Sequence, residues 1–60
     1  MNETELRIVE SMEKYGGSFV KALANAMRHA DHMNRAKIIS TWPAYWSEYE
    51  KMASKKPILS

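Results

Sequence analysis

The stretch TWPAYWSEYEKM, Thr41 to Met52, decides how this chain folds. Trp42, Tyr45, Trp46, Tyr49 and Met52, with Ala53 just beyond, recur at i, i+3, i+4, i+7 spacing. That is the period of a helix burying one face. Ser47, Glu48, Glu50 and Lys51 fall on the other side. Pro43 sets where the helix begins. Its ring would clash with the Ile39 carbonyl in a continuous helix, whereas its preset φ suits a first turn. With Thr41 or Trp42 as cap, the spacing predicts a helix over 43–53. The aromatic stripe is read first as a buried seam, with part of it left for a second chain.

Upstream, the breakers mark three more helices. Asn2 is a candidate N-cap, and Glu5 three residues on completes a capping box. Leu6, Val9 and Met12, with Ile8 and Tyr15 adjoining, form an apolar stripe for a first helix over 2–15. Gly16 and Gly17 end it, one of them expected in the left-handed conformation. Ser18 is expected to cap a second helix over 18–30. Its apolar stripe is Phe19, Val20, Leu23, Ala26, Met27 and Ala30, and its alanines raise helix propensity. Asp31 or Asn34 is placed to cap a short third helix over 34–41, with Ala36 and Ile39 inward. No strand-period alternation or repeat occurs. The expected fold is all-α: a compact bundle of three to four short helices in one domain over 1–53, open to completion by dimerisation. Residues 54–60 read as a frayed, polar tail.

Size makes such a bundle marginal. For 6.9 kDa, surface scaling gives about 6,000 Å² buried on folding. With a little over half of that area apolar, burial contributes about 90 kcal/mol at ~25 cal/mol per Å², and ordering sixty residues costs about the same. The chain has no cysteine, hence no disulfide or thiolate metal site to add stability. It has no apolar run long enough to span a bilayer, and its first residues lack the basic start and apolar centre of a signal peptide. A soluble, intracellular protein is expected, with packing, self-association or a partner supplying the missing stability.

The residues offer little for catalysis. Cysteine is absent, and Ser11, Ser18, Ser40, Ser47 and Ser54 sit at caps or polar faces. A domain this small has little concavity to exclude water from a nucleophile. His29 and His32 lie three apart with Asp31 between, but straddle a helix end without a third ligand in register, so no metal or cofactor is expected. Glu48 and Glu50 point to different sides of their helix and cannot pair as acid and base. The aromatic helix carries more acid than base on its polar face, unlike a membrane-surface helix.

Nucleic acid is the stronger rival to protein binding. The net charge is only +2, but Lys21, Arg28, Arg35 and Lys37 cluster on the second and third helices with both histidines. The order helix, DHMN turn, short helix imitates a helix-turn-helix, with Asn34, Arg35 and Lys37 at the entering end. Against it, the supposed turn lacks the usual glycine.

The combined pattern has a relative in outline. Gly16-Gly17-Ser18-Phe19, an alanine-rich helix through Leu23 to Ala30-Asp31, then Trp42-Pro43, Trp46 and Tyr49, resembles small helical proteins encoded by tailed bacteriophages and prophages. The likeness covers about Tyr15 to Met52. It implies an accessory protein made in the host bacterial cytoplasm and carries over no catalytic or ligand residue. The sequence as a whole leads to one expectation: a non-enzymatic protein acting by stoichiometric protein–protein interaction, as a homo-oligomer or on a host or phage protein. Trp42, Tyr45, Trp46 and Tyr49 are the expected contacts. The alternative is a helix-turn-helix-like nucleic-acid binder using Arg28, Arg35 and Lys37.

Overall fold

A computed structural model describes residues 1–54. Over that span the chain forms four helices: α1 (Glu3–Tyr15), α2 (Ser18–His29), α3 (His32–Thr41) and α4 (Pro43–Ser54). No strand occurs among the described residues. Ser54, the first residue of the expected frayed tail, is the last of α4; residues 55–60 lie outside the described residues.

Local chemistry accounts for most of the helix ends. The Glu5 backbone N–H donates to Asn2 Oδ1 at 2.8 Å, and the Asn2 N–H donates to Glu5 Oε1 at 3.2 Å. This reciprocal box satisfies donors that the first turn of α1 leaves open. Asp31 caps α3, accepting from the Asn34 N–H at 2.8 Å. At the far end of α3, the Ser40 and Thr41 hydroxyls both donate to the Lys37 carbonyl, at 3.1 and 2.6 Å. The Trp42 N–H closes on the Ile38 carbonyl at 3.0 Å. Pro43 is then the first residue of α4, where a missing N–H costs nothing.

Four expectations are corrected here. Neither glycine is left-handed: Gly16 has φ −77° and Gly17 φ −76°. Gly16 is required for space instead. A Cβ on it would lie 2.5 Å from both the Met12 carbonyl oxygen and Val20 Cγ1, inside contact distance of backbone that cannot yield. Ser18 does not cap α2; it is the first helical residue, and Gly17 takes the cap position without a side-chain bond. The third helix begins at His32 rather than residue 34, because Asp31, not Asn34, supplies the cap. Within it Ala36 is exposed while Ile38 and Ile39 are both half-buried.

The core is aliphatic and centred on α1. Ile8, Val9 and Met12 of α1 meet Val20, Leu23, Ala24 and Met27 of α2, and Tyr49 of α4 completes the cluster. Consecutive buried residues Ile8 and Val9 widen the apolar stripe of α1, as a helix packed along both α2 and α4 requires. Ala24, outside the expected stripe, is fully buried, whereas Ala26 is exposed. α3 contributes no buried residue and packs more lightly, against α2 and α4. Glu13 and Arg28 tie α1 to α2 by a two-pronged ion pair, with Arg28 Nε and Nη2 donating to the two carboxylate oxygens and the second bond 2.9 Å long. The Arg28 hydrogen bond, with its charge, holds the Glu13 carboxyl below the usual carboxylate range against a smaller opposing effect of burial.

Candidate functional site

The aromatic residues of the opening stretch do not share one fate. Tyr49 is buried, Tyr45 and Trp46 are half-buried against the core, and Trp42 is 37% exposed. The expected continuous seam is therefore a gradient, dry at the middle of α4 and wet at its start. The reason lies in the α3–α4 junction. Trp42 belongs to neither helix (φ −126°, ψ 62°), so its side chain is not aligned with the stripe that α4 turns toward α1. Met52, at the other flank of that stripe, is also exposed.

Trp42 is covered in part by a residue from elsewhere in the chain. The Phe19 ring meets the Trp42 ring edge-on, with centroids 5.7 Å apart and planes at 76°. It also meets Tyr45, centroids 5.9 Å apart at 59°. Both separations lie in the range that aromatic quadrupoles favour. Phe19 itself is 49% exposed, which corrects its place in the buried stripe of α2. It stands in the first turn of α2, at the edge of the face that Val20, Leu23 and Met27 bury. Phe19, Trp42 and Tyr45 thus form one three-ring surface patch, drawn from two helix starts.

Of the expected contacts, the structure brings Trp42 and Tyr45 into this patch and leaves Tyr49 inside. Trp46, half-buried like Tyr45, packs against the core. Phe19 was not among the expected contacts. The sequence placed it within the α2 stripe, and its approach to Trp42 depends on how α3 returns the chain.

Two of the three basic residues of the alternative reading are occupied. Arg28 is held by Glu13. Arg35 is half-buried; its Nη1 donates to the Ala30 carbonyl at 2.8 Å, satisfying the end of α2, and its Nε is buried without a partner. Lys37 is exposed. The start of α3, where a recognition helix would receive phosphate, carries the Asp31 carboxylate instead, a charge of the wrong sign. His29 and His32 are both exposed, and no group of three or more His, Cys, Asp or Glu is arranged to hold a metal among the described residues. Also among these residues, no helix is long and apolar enough to cross a membrane.

Comparison with protein-family models, curated proteins and solved structures finds no match to this chain.

Proposed function

We propose that this protein acts without catalysis, by stoichiometric protein–protein binding, to its own copy or to a host or phage protein, through the surface patch of Phe19, Trp42 and Tyr45. The observation that carries this reading is the exposure of Phe19 and Trp42 beside a core that closes without them. Rings of this kind, held rigid against one another, lose little conformational freedom on binding and dominate interface energetics. The resemblance of the Gly-Gly-Ser-Phe to Trp-Pro pattern to small phage-encoded proteins supports a partner met inside an infected bacterium, of host or phage origin.

Parallel affinity capture tests it, with immobilised wild-type chain, Phe19→Glu and Lys37→Glu as baits in infected-cell extract. The reading expects a stoichiometric protein that wild type and Lys37→Glu retain and Phe19→Glu loses. Retention by all three baits would place the contact elsewhere.

Nucleic-acid binding through Arg28, Arg35 and Lys37 is the second reading, and the engagement of both arginines weighs against it. It requires affinity that falls steeply as salt rises, so it would be strongest at about 50 mM salt. We expect no mobility shift of duplex or single-stranded probes there; a salt-sensitive shift abolished by Lys37→Glu would reinstate it.

A further inference from the structure

We infer that the partner which covers the Phe19–Trp42–Tyr45 patch is a second copy of this chain, paired face to face about a two-fold axis passing close to Phe19. The inference rests on the patch being a binding surface and names its occupant. The first argument is electrostatic. From Tyr15 to Val20 and from Ile38 to Ser47 the chain carries no charged residue, and these two stretches supply all three rings. The nearest charges along the chain, Lys14, Lys21, Lys37 and Glu48, fall at their ends. In a two-fold interface each patch meets its own image, so charge of a single sign near the axis would repel itself. A neutral patch is compatible with its own image. It also has the make-up of an interface centre, rich in aromatics and depleted of charge.

The second argument concerns extent. With about 150–250 Å² available on each aromatic side chain, the exposures of Phe19 and Trp42, 49% and 37%, leave roughly 200 Å² of ring surface to cover. Ala22, one turn along α2 from Phe19, and Pro43 and Ala44, between Trp42 and Tyr45 in the chain, are exposed as well. The total falls short of the ~800 Å² per partner of a standard interface. Pairing is therefore weak and set by concentration, and each protomer keeps its own closed core. Phe19, the most exposed of the three rings and in contact with both others, is the residue placed to meet its own copy.

Sedimentation equilibrium of the whole wild-type chain, from about 10 µM to about 1 mM, tests the pairing without any substitution. The average mass should climb from 6.9 kDa toward twice that value, and tryptophan emission should become less accessible to a neutral quencher over the same range. Phe19→Glu and Phe19→Lys should each remain monomeric with helical circular dichroism intact, and an equimolar mixture of the two should regain dimer. A wild-type chain that stays at its monomer mass at about 1 mM overturns the self-pairing, and the capture experiment then judges binding to another protein separately. Dimers that persist in either single variant, or a mixture that fails to regain them, overturn the face-to-face geometry at Phe19.

Discussion

At the scale of single residues, the two adjacent glycines do opposite things. A Cβ at Gly16 would strike the Met12 carbonyl and Val20, whereas one at Gly17 would meet nothing within 4 Å. Gly16→Ala should cost about 1–3 kcal/mol, the usual penalty of overpacking. Gly17 has extended backbone that any residue adopts and stands at an uncapped N-cap. Gly17→Ser should therefore stabilise by about 0.5–1 kcal/mol, by adding a cap and restricting the unfolded chain. Urea unfolding of the two variants beside wild type checks both signs. A glycine pair announces a break in the sequence, but which member is irreplaceable depends on Val20 folding back over the turn.

The Glu13–Arg28 pair is also a residue-scale matter, with a pH signature. Glu13 has its carboxyl held below the ordinary value of 4.5 by Arg28. Its contribution to stability is thus present above that value and is lost as pH falls through the lower, folded-state value. Glu13→Gln should lower the melting temperature at neutral pH, and the gap from wild type should close as pH falls from the ordinary 4.5 through the lower, folded-state value. Both side chains remain more than one-third exposed, so the neutral-pH gap will be small and will shrink in high salt. A gap that widened on acidification would contradict the assigned pairing.

Among the elements, α3 depends most on its ends. It buries no side chain completely, so its start relies on the Asp31 cap and its link to α2 on the Arg35 bond to Ala30. Asp31→Ala should cost about 1 kcal/mol, and hydrogen exchange should speed up most in α3, because lightly packed elements open first. Uniform acceleration through α1 and α2 would mean that α3 does not open separately. The cap itself was legible in the sequence. The extent of the helix was less so, since Asp31 and Asn34 both suit a cap and only the fold of the preceding turn chooses Asp31.

For the whole molecule, the division between core and patch predicts unequal costs for two apolar residues. Met12, fully buried at the centre of the cluster, should cost about 2–5 kcal/mol on change to alanine, enough to unfold much of so small a domain. Phe19→Ala removes a half-exposed ring and should cost about 1 kcal/mol. Thermal unfolding of the two variants at low concentration, where self-pairing is absent, makes the comparison. Equal losses would place Phe19 in the core and remove the patch.

Read alone, the sequence settles that the chain is helical and, to within a residue, where α1, α2 and α4 begin and end, because caps, the Gly16-Gly17 break, Pro43 and the apolar period act over a few residues. It also identified Val9, Met12, Leu23 and Met27 as inward, since a residue near the middle of an apolar stripe is covered by whichever neighbour packs there. Exposure at the stripe edges, by contrast, is set by packing between helices. Whether Phe19, Trp42 or Ala24 is dry depends on how far a neighbouring helix reaches across that edge. That reach follows from how α1 packs on α2 and α4 and how α3 joins the latter two, distances in space that no local pattern encodes.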